Sequence, residues 1–245
     1  MDAPLQRVQL TEQLELWQRK QGHRTGTDDV LCAWAGSVVA PAASAILDLG
    51  SGQGAVGLML SGAIPKAHVV AIEAQEVSFK LLQRNVAVNG LSQRFTLLHG
   101  DLRETAPTGG PFDLITGTPP FMPLGSGTPP RDPQREAARF ELRGGVEAYC
   151  EAASRHLATD GAVVIVMDAA RPGRYEDAIR EAGLCIKRVM EVLPKPGQPP
   201  TYLIYWAGLE PPADGLRREK LIVRDDTGRW TEAFQSVRQT LNLPS

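Results

Sequence analysis

The stretch AILDLGSGQGAVG, residues 45–57, decides the fold: an apolar run carries one acid, Asp48, then turns through alternate glycines into a helical pattern. Gly50, Gly52 and Gly54 permit a tight turn and let backbone N–H groups approach a ligand that a side chain would hold off. Such a strand–turn–helix unit is a nucleotide cradle, and Asp48 selects among nucleotides. A pyrophosphate sits against the positive N-terminus of a helix, and a carboxylate just before the glycines repels it. A cationic or amine-bearing ligand is attracted instead. Gly52 to Gly57 do satisfy G-x-G-x-x-G, but the first glycine of that match lies too far beyond the strand end for a dinucleotide fingerprint.

Outward from the cradle, short apolar runs alternate with helical patterns. Strands are predicted at 45–49, 68–72, 95–98, 112–115 and 162–167, and helices at 75–89, stopped by Gly90, and 174–182, stopped by Gly183. This alternation implies a parallel sheet covered on both faces. Residues 184–192 and 201–206 are separated only by the Pro/Gly-rich LPKPGQPP and predict an antiparallel hairpin. A linker is expected at 210–215 and a short strand at 221–224. Before the cradle, 18–34 reads as a loop followed by a helix, with Thr27 or Asp28 as its N-cap.

Composition narrows the class. With 245 residues and 42% hydrophobic content, the chain suits one medium α/β domain with small terminal additions. A net charge of -2 excludes a general polyanion binder, so any nucleic-acid contact must use a local basic patch. Cys32, Cys150 and Cys185 are odd in number and widely spaced, which argues against a disulfide scaffold or a metal cluster. The N-terminal MDAPLQRVQL lacks the regions of a signal peptide, and no apolar stretch is long enough to span a bilayer. A cytoplasmic protein is expected, with neither metal nor membrane as a partner.

The pattern D-x-G-x-G-x-G, with Asp48, Gly50, Ser51, Gly52 and Gly54, resembles the S-adenosylmethionine loop of class I methyltransferases. Glu73, ending the second strand, is placed to accept hydrogen bonds from both ribose hydroxyls of a nucleoside. Asp101 follows the third strand; the resemblance puts it and Leu102 near the adenine, whereas taken alone it reads as the N-cap of a helix starting near Leu102. The fourth strand runs into FDLITGTPPFMP, and amino-group methyltransferases carry Asn-Pro-Pro-Tyr/Phe at this position. An exocyclic amine conjugated to a ring is a poor nucleophile, so acceptors for its N–H groups and in-line positioning are what the chemistry needs. The family supplies them from the Asn side chain and the next proline carbonyl, with the aromatic residue stacked on the base. Here Pro119, Pro120 and Phe121 match, but Thr118 replaces the Asn, and a hydroxyl is shorter and less polarised than an amide carbonyl.

Three further stretches point to one family. QRKQGHRTGTDDVLCA, containing Gln18, Gly22, Arg24, Asp28, Leu31 and Ala33, resembles the opening segment of the bacterial tRNA1(Val) adenine-37 N6-methyltransferase family, with His23 replacing the usual aromatic. DPQREAARFELRGGVEAYCEAA is similar to the segment beyond that family's catalytic motif, and LIVRDDTGRWTEAF to its C-terminal strand and helix. The resemblance implies a Rossmann-like fold with a mostly parallel seven-stranded sheet, an antiparallel edge hairpin and helices on both faces. It further implies an N-terminal segment and helix at 1–40, a methyltransferase domain at 41–209, and an extension at 210–245 packed on the same domain. S-adenosylmethionine would lie between Arg24, the glycine loop, Glu73 and Asp101, with its methyl facing Thr118 to Phe121 and RNA as substrate.

The residues add modest support for RNA. Arg135, Arg139 and Arg143 recur every four positions, so a helix from Asp132 and Pro133 aligns them on one face for phosphate contact. The same spacing also suits a solvated face paired with Glu136 and Glu141. Methylation of a protein glutamine amide or a small molecule, and a noncatalytic cofactor-binding subunit, stay open beside adenine N6. Against the glutamine reading stands the absence of the helical N-terminal domain usual in release-factor methyltransferases.

Overall fold

The computed structural model describes residues 4–244, so the first three residues of the N-terminal stretch, and Ser245, lie outside the described residues. The chain opens with a hairpin, β1 (Leu5–Gln9) and β2 (Glu15–Arg19), followed by α1 (Thr27–Val39). The cradle unit comes next: β3 (Ala45–Leu49), α2 (Ala55–Ala63), β4 (His68–Glu73), α3 (Glu76–Val88), β5 (Phe95–His99) and β6 (Phe112–Gly117). Then follow α4 (Pro133–Arg139), α5 (Val146–His156), β7 (Leu157–Asp168) and α6 (Pro172–Glu181). The chain finishes with β8 (Cys185–Leu193), β9 (Tyr202–Gly208), β10 (Arg217–Ile222) and α7 (Glu232–Thr240).

Eight strands form the main sheet in the order β10-β8-β9-β7-β6-β3-β4-β5, with β9 antiparallel to both neighbours and every other pair parallel. Side chains alternate across it. Ile46 packs with Leu31, Leu58 and Trp206 on one face, while Leu47 and Leu49 pack with Ile115, Tyr149 and Tyr205 on the other. Each fully buried aliphatic side chain contributes roughly 1.5–3 kcal/mol, so the central strands are pinned from both sides. That pinning fixes where the strand ends, and therefore the loops that follow them, come to rest.

The sheet has eight strands, not the seven expected. The additional edge is β10, paired parallel to β8 from Arg217 opposite Arg188 to Ile222 opposite Leu193. It starts at Arg217 rather than at 221, where the apolar signal begins, because its first half is held by charge: Arg188 pairs with Glu219, and Lys220 lies 3.7 Å from Glu191. An edge strand of this kind reads as polar loop.

The β1–β2 hairpin was not expected either. Leu10 and Leu16 join the core, with Val8 and Leu14 packed against it, and amides from α3 hold the free edge of β2. Asn85 on α3 accepts from Trp17 N at 2.7 Å and donates to Trp17 O at 3.0 Å and to Gln53 O at 2.9 Å. One turn on, Asn89 accepts from Glu15 N at 3.0 Å and donates to Glu15 O at 2.8 Å. Two side chains thus satisfy the free edge of β2 as another strand would.

Two expected helix starts move. The N-cap of α1 is Gly26, whose N–H donates to Asp29 at 2.9 Å, instead of Thr27 or Asp28. No helix follows Asp101: its carbonyl accepts from Glu104 N and Thr105 N in a tight turn. Cys32 and Cys150 are buried and Cys185 half-buried, all three as free thiols.

Candidate active site

Beyond the end of β3, the loop runs through positive φ at Gly50 (62°), Gly52 (57°) and Gly54 (94°) before α2 begins. The three glycines are needed for different reasons. A Cβ on Gly50 would lie 2.1 Å from the Tyr149 hydroxyl, and one on Gly54 would lie 2.6 Å from Leu82, so these two allow close packing. A Cβ on Gly52 would meet nothing within 4 Å, because that residue faces the cavity. Two loop amides are already engaged: Ser51 N donates to Ile72 O at 2.9 Å and Gly52 N to Glu73 at 2.8 Å. The loop therefore offers room and acceptors rather than those two donors, which departs from the expectation of free N–H groups.

A cavity of about 100 Å³ opens beside the loop, lined by Gly50, Ser51, Gly52, Gln53, Asp48 and Glu73 among others. Acids dominate it. Asp48 is buried, accepts from Thr116 Oγ1 at 2.9 Å, and leaves Oδ2 without a hydrogen-bond partner; burial pushes its carboxyl up to about 6. Glu73 is also buried and raised by burial, even though the amides of Gln75 and Gly52 bond its two oxygens. Asp29 on α1 reaches the same cavity and is raised well above the carboxylate range, first by burial and then by Asp28. Beside them, Gln53 keeps Oε1 buried and unpartnered. The arrangement suits a ligand that brings positive charge and several hydrogen-bond donors.

Asp101 and Leu102 line the same cavity. Arg103 grips Asp101 through two bonds of 2.9 and 2.7 Å, and this pairing lowers the Asp101 carboxyl. Two contributors, Asp29 and Tyr149, were not expected. Asp29 announces itself only as a helix-start acid, and Tyr149 lies on the buried stripe of α5, where it reads as core. Burial, followed by Glu73 and Asp48, raises the Tyr149 phenol.

A second cavity, of about 500 Å³, adjoins the first, and Thr118, His23 and Ala138 line both. Pro119 and Phe121 face the larger one and Pro120 the smaller. The Phe121 carbonyl accepts from Arg171, and its ring lies 6.1 Å from that of Tyr202, so the turn after β6 is held at both ends of Phe121. Arg24, expected beside the cofactor loop, lines the larger cavity, while Asp29 and His23 line the smaller one. Arg135 and Arg139 line the larger cavity with it.

Arg143 does not join them. The helix stops at Arg139 because the next residues pair with the turn after β6: Met122 N donates to Arg139 O at 2.9 Å and Glu141 N to Met122 O at 3.0 Å, with Phe140 buried between. Arg143 then lies on the wall of the smaller cavity, where its charge partly offsets the rise that burial gives Glu73 and adds to Arg103 in lowering Asp101. Glu141 is likewise not an α4 surface partner; Arg174 holds it at 2.8 Å.

Residues 37–184 match the family described as the methyltransferase small domain. A tRNA1(Val) (adenine(37)-N6)-methyltransferase from Shewanella amazonensis is 30% identical over 91% of this chain and 93% of its own. A protein of the same description from Bacteroides thetaiotaomicron is 28% identical over 95% of each chain. Among solved structures, a chain described as a predicted O-methyltransferase from Agrobacterium tumefaciens superposes with a TM-score of 0.66 at 19% identity, covering 89% of this chain and 98% of that one. This last likeness extends the shared fold to nearly the whole of both chains.

Proposed function

The chain belongs to the methyltransferase small-domain family and is an S-adenosylmethionine-dependent methyltransferase, and on that premise we propose that it methylates the exocyclic N6 of an adenine in tRNA. The observation that carries this reading is the shared wall. Thr118 lines both a small acid-lined cradle and a larger cavity edged by Arg24, Arg135 and Arg139. A donor in one and an acceptor in the other would meet there. The printed activity of relatives that cover nearly the full chain supports the choice of adenine N6 in tRNA.

The cradle fits the cofactor on three counts. Gly52 faces open space, Asp48 and Gln53 hold buried oxygens that lack donors, and Asp29, Asp48 and Glu73 surround the space with acid. Glu73 would accept from the ribose hydroxyls, Asp29 and Asp48 would face the positively charged end, and Asp101 with Leu102 would meet the adenine. Gly50 and Ser51 would line the path between them, with Gly54 setting the helix behind. S-adenosylmethionine supplies a methyl group on a positively charged sulfur.

The protein's own part is to position the acceptor and keep its lone pair directed at that methyl. Phe121 would stack on the base, while the Thr118 hydroxyl and the Pro119 carbonyl would accept from the amine. Arg135 and Arg139 would hold phosphates, with Arg143 assigned to the cofactor side rather than to RNA. No helix among the described residues is long and apolar enough to cross a membrane, and the reading sets the reaction in the cytoplasm. Labelled methyl transfer from the cofactor into separated tRNA, protein and metabolite fractions tests the proposal. Label in tRNA as N6-methyladenine is expected; label in protein or metabolites alone refutes it.

A further inference from the structure

His23 stands at the junction of the two cavities, lining both beside Thr118. Its backbone N–H donates to Gln134 Oε1 at 3.3 Å; Gln134 is buried, donates to Ser78 Oγ at 3.1 Å, and accepts from Arg19 at 3.1 Å. The backbone that carries the imidazole is therefore held from α3, α4 and β2 together. Thr118 and His23 are also the two places where the segments around the site depart from the pattern they resemble, one losing an amide carbonyl and the other gaining a ring nitrogen. Both departures meet at one wall.

We propose that His23 accepts the proton released by the amine as it is methylated, with the Asp28 carboxylate nearby stabilising the imidazolium that forms. The inference rests on the amine-methylation reading above. A primary exocyclic amine carries two protons, and only one of them can stay bonded to Thr118 or Pro119 through the reaction. The amine nitrogen forms its bond to the methyl carbon, the carbon–sulfur bond breaks with its electron pair left on sulfur, and the nitrogen's second proton passes to the free ring nitrogen of His23. For this the ring must be neutral at rest. Burial holds it below its ordinary 6.5, with Arg135 and Arg139 on α4 adding to the effect and Asp28 on α1 opposing it. Lys20, Arg24 and Asp168 are the other charged groups lining the larger cavity, and Asp29, Asp48, Glu73, Asp101 and Arg143 line the smaller one.

The test pairs a pH–rate profile with a titration. Single-turnover methyl transfer into tRNA is followed against pH for the full chain and for His23→Phe, His23→Gln and Asp28→Asn. In parallel, the histidine ring resonances are titrated, His23 being the one lost in His23→Phe. Wild-type rates are expected to rise to a plateau through a midpoint below 6.5 that matches the ring titration, because only the neutral ring accepts a proton. Both His23 variants should lose that limb and fall by about a hundredfold at the plateau. Their circular-dichroism spectra and urea midpoints should match the wild type, which shows a folded chain. Asp28→Asn should move the midpoint further down. If the wild type is active and both His23 variants keep its rate and profile, or if His23 titrates at or above its ordinary value, the assignment is wrong and the RNA reading stands. If the wild type transfers to no RNA, the RNA reading fails and the assignment falls with it.

Discussion

At Thr118 the chemistry turns on one oxygen. Thr118→Val keeps the shape but removes the acceptor, and one neutral hydrogen bond is worth about 1–3 kcal/mol of barrier. The methyl-transfer step should slow by about tenfold to a hundredfold with cofactor affinity unchanged, and Thr118→Asn should match or exceed the wild type; single-turnover rates read both. Asp48 makes a different residue-scale prediction. Its carboxyl is raised from 3.8 to about 6, so the native state binds the proton more tightly than the unfolded chain does. Stability is therefore fully supported at or below about pH 4 and is lost as pH rises towards 6, by at most about 3 kcal/mol. Asp48→Asn, which has no charge to bury, should flatten that slope in urea titrations between pH 4 and 7 while weakening the cofactor. Asp48 was legible in the sequence as the acid before the glycines. Its burial, and the engagement of the Ser51 and Gly52 amides, were not, because they depend on Ile72 and Glu73 arriving from the next strand.

At the scale of elements, α4 separates what a repeat of four had joined. Arg135→Gln with Arg139→Gln should weaken tRNA binding and lower its log–log salt slope by about 1–2, one counterion for each lost phosphate contact. Arg143→Gln should leave that slope intact and loosen S-adenosylhomocysteine, since it faces Glu73 and Asp101. Filter binding across a salt series and calorimetry separate the two. The central strands and the β8–β9 hairpin could be read because burial on both faces demands apolar runs. The seam that ends α4 could not: Met122 and Arg139 are far apart in sequence and pair only through backbone atoms. The β1–β2 hairpin and β10 stayed hidden for a related reason: each buries too few apolar side chains to set a period, Leu10 and Leu16 in the first and Leu221 in the second, and amide side chains and surface ions fix the rest.

Taken as a whole, the molecule ties its N-terminal hairpin to its cofactor loop through buried amides, Asn85 bridging Trp17 and Gln53 while Gln53 also donates to Gln18 at 3.3 Å. Asn85→Ala strips partners from Trp17 and Gln53 at once and should cost roughly 2–4 kcal/mol, measured as a lower urea midpoint. Trp17, stacked 4.0 Å beneath Arg84, should report that loss first by fluorescence. The same integration governs how the two cavities communicate. Ala137 and Ala138 of α4 roof the smaller one while Arg135, Ala138 and Arg139 border the larger, so a single short helix closes both. An occupant that shifts α4 at one chamber shifts the lining of the other, so the two occupants are expected to be heterotropic partners. Thermodynamic reciprocity then requires that S-adenosylhomocysteine change the affinity for tRNA by the same factor, and in the same direction, as tRNA changes that for S-adenosylhomocysteine. Loosening Arg19 from Asp132, 2.9 Å apart at the edge of that roof, should shrink both factors together.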